Sequence, residues 1–303
     1  MKHSSIAGPF RHGNLEIFVL RGAQTIDTAF IPLHEAMEAR TVTVHETGSV
    51  GQLEVENHSD VPLYIQAGDV VKGGKQDRTL GVDLVVPGGR RIPVPSFCVE
   101  AGRWSRRRNE SEAVFSKSDS ILASKGLKLS AKLSRSQSEV WDQVHHFQST
   151  VGANVSSDLR SAVSPSSYQL SMEDHALRAV KREYTQALQR VAEFPDAIGL
   201  VFAINGKLNS GDAYGSHDLF RRIWARQLDA AITEALLEAP REAGTLTPEK
   251  VEEWLQEQAA GSVDTRETSP NVRMRTVRGT QRVVFETAYP DERILHWNMI
   301  ALG

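Results

Sequence analysis

The 303-residue chain carries 35 Lys plus Arg against 38 Asp plus Glu, a formal net charge of -3, and is 40% hydrophobic, 24% charged and 7% aromatic. These ordinary values exclude collagen-like, disordered and disulfide-scaffold classes, and a single cysteine, Cys98, fits a reducing cytoplasm because it cannot close an internal disulfide. The near-neutral balance gives no reason to expect a nucleic-acid or membrane partner, and the longest apolar run, residues 198–204, is far too short to span a bilayer.

The first ten residues hold no apolar core of signal-peptide length, so a cytoplasmic location is expected. From about residue 14 the chain reads as short strands broken by Gly, Pro, Asn and Asp: Leu15 to Leu20, Arg40 to His45, Leu53 to Glu56, Pro62 to Gln66, Thr79 to Val86 and Arg91 to Glu100. One helix fits Pro32 to Ala39, where Leu33, Ala36 and Met37 share a face. This spacing predicts an antiparallel β-sandwich or open barrel over residues 1–104.

Residues 105–135 read as a basic, serine-rich linker or surface loop. Over 103–135, nine basic residues face three acids, a balance of +6; residues 234–267 reverse this, with nine acids against three bases. Both segments read as solvated faces.

Helices dominate the following stretch. Ser136-Gln137-Ser138-Glu139 is a capping box, followed by Val140, Val144, Phe147 and Val151 on one face. A second helix is predicted to open at Ser171 and a third to run from Ser216 to about Leu237. A fourth starts at Thr247-Pro248-Glu249, where proline occupies a first-turn position that needs no amide hydrogen, and ends at Gly261. Between them, Asn205-Gly206 predicts a two-residue hairpin turn. The C-terminus reads as a meander over Val272 to Val277, Gln281 to Thr287 and Arg293 to Ala301, with a turn at Pro290-Asp291. The fold class is therefore α+β, and residues 136–303 form a second domain of helices, hairpin and meander.

The densest polar constellation is Gly68 to Arg78 together with Cys98 to Trp104. Gly73 and Gly74 give a turn whose amides are able to cradle an anion, with Lys75, Gln76 and Arg78 beside it, although the spacing is not that of a Walker loop and a plain solvated turn is the simpler reading. Glu100, Arg103 and Trp104 at the strand end either lock to this loop or read a ligand's polar edge. Cys98 lacks a neighbouring histidine in sequence and reads as an inert buried thiol; with Asp77 and Glu100 it completes the catalytic candidates. Ten histidines show no recognised metal spacing, so neither metal nor cofactor is predicted. Arg106-Arg107-Arg108 is able to grip phosphate or RNA, but without interleaved aromatics it reads as a solvated loop.

The run Leu53 to Ile65, then Gly68-Asp69, Gly73 to Arg78, Ile92-Pro93-Val94 and Cys98 to Trp104, resembles the ARG and rhodanese-phosphatase-superfamily-associated domain family. That resemblance implies a place beside ADP-ribosylglycohydrolases or rhodanese-phosphatase proteins and a link to ADP-ribose or other NAD-derived molecules. The expectation is an accessory protein that binds such a phosphate-bearing ligand through the two motifs. The alternatives are a hydrolase using Glu100 or Asp77 as general base, and an interaction scaffold.

Overall fold

The computed structural model describes residues 3–107, 110–242, 244–257, 260–289, 291 and 293–302, except for the side chains of 119–121 and 191–192. The chain forms two compact units, one made of Met1–Ala29 with Glu183–Gly303 and the other of Phe30–Arg182. The boundaries therefore differ from the linear expectation of 1–104, 105–135 and 136–303: the first 29 residues join the C-terminal half, and residues 105–182 join the β-rich stretch that begins at Phe30.

The first unit is built on an eight-stranded antiparallel sheet in the spatial order Ser5–His12, Leu15–Arg21, Ala197–Ile204, Lys207–Tyr214, Ile294–Ala301, Arg282–Ala288, Val272–Arg278, Ser262–Ser269. Asn205 and Gly206, both at positive φ, make the predicted hairpin turn. Strand Ala197–Ile204 is buried along its whole length, which explains its unbroken apolar run: neighbouring side chains point to opposite faces and both faces are covered. Helix His217–Leu237 packs on the face of Tyr214, where Phe220 meets the tyrosine ring at 6.0 Å. Helix Pro248–Gln256 covers the other face through Val251, Trp254 and Leu255.

The second unit carries a six-stranded antiparallel sheet in the order Phe115–Leu122, Asp69–Gly73, Arg78–Leu80, Arg91–Cys98, Gln52–Asn57, Val42–Ser49. An isolated bridge from His45 to Val114 brings its two ends together, so the sheet curls toward closure around Val44, Leu53, Val55, Val71, Leu80, Val94 and Phe115. A small sheet of Ile31–Pro32, Leu63–Ile65 and Leu84–Val86 packs into the same core.

The strand-rich N-terminus, the C-terminal meander and the α+β class stand as expected. Ser136, Ser216 and Thr247 cap their helices, accepting from the amides of Glu139, Leu219 and Lys250. Several elements differ. The helix predicted at Ser171 is two pieces, Tyr168–Met172 and His175–Leu188, and Asp174 accepts from the Leu177 amide at the start of the second. The helix opened by Thr247 ends at Gln256, before Gly261. The predicted strand Thr79 to Val86 divides between two sheets at Gly81, where an added Cβ would lie 2.8 Å from the Phe97 ring. The expected linker holds strand Phe115–Leu122, helix Lys125–Leu129 and a π-turn, Ser130–Ser134. Its Lys132 is buried and paired with Asp83 at 2.9 Å. Strands Ser5–His12 and Ser262–Ser269 were not predicted. Pro290 of the predicted turn lies outside the described residues. Among those described, no helix is long and apolar enough to cross a membrane.

Candidate functional site in the Phe30–Arg182 unit

The glycine turn and the strand end meet in space. Gly73 and Gly74 turn the chain at φ 118° and 57°, and Asp77 folds back so that its Oδ1 accepts from the Gly73 amide at 3.0 Å. The loop is zipped to the end of strand Arg91–Cys98 by three bonds: Val99 N to Asp77 O at 3.0 Å, Gln76 Nε2 to Glu100 O at 2.8 Å, and Asp77 N to Glu100 Oε2 at 3.2 Å. From the following helix, Gln137 pairs with both backbone groups of Cys98, donating to its carbonyl at 2.9 Å and accepting from its amide at 2.8 Å. Ser167 does two jobs: it caps helix Tyr168–Met172 and donates to Asp77 Oδ2 at 3.0 Å.

A network of three arginines surrounds this junction. Arg107 forks onto Asp77 at 3.1 and 3.2 Å, and also reaches Glu110 at 2.9 Å and Glu100 at 3.5 Å. Arg103 binds Glu100 at 2.7 Å and lies 3.6 Å from Asp77. Arg78, fully buried, sits 3.5 Å from Glu46 and donates to the Cys98 sulfur at 2.6 Å and to Gln76 Oε1 at 3.2 Å. Arg106, next in the chain to Arg107, is exposed. Four acids, Glu46, Asp77, Glu100 and Glu110, thus face Arg78, Arg103 and Arg107 at the core of the cluster. Burying that many charges is sustained because each residue faces an opposite charge within 3.5 Å and makes at least one hydrogen bond, although Nε and Nη2 of Arg78 and Nε of Arg103 have no hydrogen-bond partner.

The environment drives the two central carboxylates apart. Burial, reinforced by the nearby Glu100 charge, pushes Asp77 above its ordinary value despite Arg107. Burial opposes ionisation of Glu100 as well, but hydrogen bonds from Arg103 and Ser164, the Arg103 charge and the Asp77 amide outweigh it and hold Glu100 below its usual range. Burial pushes the Cys98 thiol up to about 11, against the charge of Arg78. As a thiol it donates to Gln76 Oε1 at 2.9 Å and is no nucleophile at neutral pH. At about pH 8 the folded protein should therefore resist iodoacetamide, whereas the urea-unfolded chain should be alkylated; rapid labelling of the folded state, read by intact mass, would contradict this assignment.

The outer edge of the cluster is different in character. The Trp104 ring is 45% exposed, with the Lys75 ammonium 5.2 Å and the Arg78 guanidinium 5.6 Å from its centroid. Among the described residues no carboxylate lies within ion-pair distance of Lys75 Nζ.

The model of the ARG and Rhodanese-Phosphatase-superfamily-associated Protein domain matches residues 3–300. The chain belongs to this family. No curated protein and no solved structure matches it.

For this member of the family, the structure brings together Gly73, Gly74, Lys75, Gln76, Asp77, Arg78, Cys98, Glu100, Arg103 and Trp104, in two layers. The loop does cradle anions, but they are the protein's own: the amides of Gly73, Lys75 and Asp77 donate to Asp77, Glu46 and Glu100, and that of Gly74 to the Ser111 carbonyl. Arg107 is a correction to the sequence reading. It is buried at the centre of the network instead of lying in a solvated loop, and Arg108 lies outside the described residues. Sequence reasoning also missed Glu46, Glu110, Ser164 and Ser167. Only Glu110, three residues from Arg107, left a local signal.

Gly74 is where the loop is least tolerant. An added Cβ would come 2.4 Å from Cζ of the buried Phe115 ring, at a left-handed backbone angle. Gly74→Ala should destabilise the unit by roughly 2–5 kcal/mol, adding the left-handed cost to that of an overpacked core. Urea denaturation checks this against Gly89→Ala, which shares the left-handed angle but meets nothing within 4 Å.

Proposed function

We propose that the protein is an accessory ligand-binding protein that takes ADP-ribose or another NAD-derived, phosphate-bearing small molecule at the rim formed by Lys75, Arg103 and Trp104. The observation that carries this reading is the exposed Trp104 with the Lys75 ammonium against it, an ammonium that has no ion-pair partner among the described residues. A purine stacks on an indole face, and a phosphate recruits a lysine whose charge is not already spent within the protein. The buried network beneath holds these rim groups in place: Arg103 donates to the Gly74 carbonyl at 3.2 Å while bound to Glu100, so loop and rim move as one. The family's name, which couples it to ARG and rhodanese-phosphatase proteins, points to the same class of molecule and to proteins handling it as partners.

One observation favours the hydrolase alternative: Asp77 and Glu100 are shifted in opposite directions, as in an acid–base pair. Against it, both carboxylates are fully buried and tied to arginines, so neither faces a substrate. Calorimetry of the full chain with ADP-ribose, NAD, AMP and inorganic phosphate tests the binding reading, with chromatography of the recovered ligand reading out turnover. Saturable binding of ADP-ribose returned intact is the expected result; no heat with any of the four would overturn it, and conversion of the ligand would establish the hydrolase.

A further inference from the structure

We propose that the unit of Met1–Ala29 and Glu183–Gly303 contains a second, separate small-molecule site, on the sheet face beneath helix Pro248–Gln256, and that it takes an aromatic amine. Its origin lies in strand register. Across four adjacent strands, Leu20 pairs with Gly199, Gly199 with Ala213, and Ala213 with Trp297, so one row of the sheet runs large, small, small, large. Gly199 is fixed by its surroundings, because an added Cβ would meet the Asp212 carbonyl oxygen at 2.1 Å. Ala213 leaves a hollow between Leu20 and Trp297 that the helix roofs with Leu255, while Gly199 lets the Asp212–Ala213 backbone close against its own strand. The resulting cavity is about 280 Å³, lined additionally by Ile198. That is near the lower end of the roughly 300–1,000 Å³ common for ligand pockets, and suits one or two fused rings. A second hollow of about 360 Å³ shares Leu255, Gln256 and Trp297 and gives room for a substituent.

The polar side of the cavity selects the head group. His3, Glu252 and Gln256 line it, and the Glu252 carboxylate accepts from His3 Nε2 at 2.5 Å and from Gln256 Nε2 at 2.6 Å. A carboxylate has about four acceptor positions, so two remain for a ligand donor. On the helix, Glu249, Glu252 and Glu253 face a single base, Lys250, which is spent on Glu253 at 2.8 Å. The rim is therefore acidic and favours a cationic head, and the Trp297 wall adds to the attraction, since an aromatic face draws a positive charge. An anionic head of the same shape meets repulsion at Glu252.

The test is calorimetry of the full chain with tryptamine and with indole-3-acetate, which share a ring and oppose in charge. Tryptamine is expected to bind at least about 10-fold more tightly, as a charge-assisted hydrogen bond implies. Glu252→Gln, at the exposed rim, should keep the fold and erase that preference, and Ala213→Leu should weaken both ligands by filling the hollow. No tryptamine binding, equal binding of the two ligands, or a preference that survives in Glu252→Gln would each overturn the proposal. Lys75 and Trp104 substitutions should leave this titration unchanged, which separates its outcome from that of the ADP-ribose site.

Discussion

Replacing Arg107 with Met should cost the Phe30–Arg182 unit about 3–5 kcal/mol, the range for removing one partner of a buried ion pair. Among the described residues Arg107 alone forks onto Asp77, and its loss leaves Asp77, Glu100 and Glu110 around a charge deficit that only Arg103 of those residues offsets. The deficit has a pH signature. Asp77 already has its folded-state pKa raised above the unfolded value, so its contribution to stability is fully present below the unfolded pKa and is lost as pH rises through the folded pKa. Removing Arg107 raises it further and widens that window. Glu100 behaves oppositely: its pKa is lowered, so its contribution persists above the unfolded pKa and is lost only as pH falls through the folded one. The stability gap between Arg107→Met and the unaltered protein, read as urea midpoints, should therefore narrow as the pH is lowered and Asp77 takes a proton. A gap below about 1 kcal/mol at neutral pH, or one that widens on acidification, would remove Arg107 from the centre of the network.

How much of this was legible beforehand follows the range of the interactions involved. Local chemistry was readable: Ser136, Ser216 and Thr247-Pro248 mark helix starts because a cap acts within one turn, and Asn205-Gly206 marks a hairpin because two positive φ angles are its own requirement. The two edge strands of the eight-stranded sheet were not. Ser5–His12 contains Gly8 and Pro9 at a register shift, residues that interrupt a strand pattern, and Ser262–Ser269 is polar and largely exposed because an edge strand has one side in water. The candidate site was half legible. The glycine loop and the Cys98–Trp104 strand end do meet, as their density of polar residues suggested. That the arginines are matched by buried acids was not visible, since Glu46, Ser164 and Ser167 lie at the far end of contacts spanning tens of residues, and Arg107 sits in a run whose composition mimics a solvated loop.

The second large effect concerns the rim. Trp104→Ala removes the stacking surface and should weaken ADP-ribose binding about 5- to 150-fold, from the roughly 1–3 kcal/mol that a base gains on an aromatic ring. Stability should fall by no more than about 3 kcal/mol, because Trp104 is 45% exposed and its contacts are worth about 0.5–1 kcal/mol with Lys75 and about 2 kcal/mol with the buried Arg78. Trp104→Phe should recover part of the affinity, and Lys75→Gln should weaken phosphate-bearing ligands while leaving adenosine nearly unaffected. Side-by-side calorimetric titration of ADP-ribose into the unaltered protein and Trp104→Ala, at matched salt and with both shown by urea titration to be folded, is the most direct test. Saturable binding to the first with a loss of at least about 5-fold in the second is the predicted result; identical isotherms, or none from either, would contradict a nucleotide site at this rim.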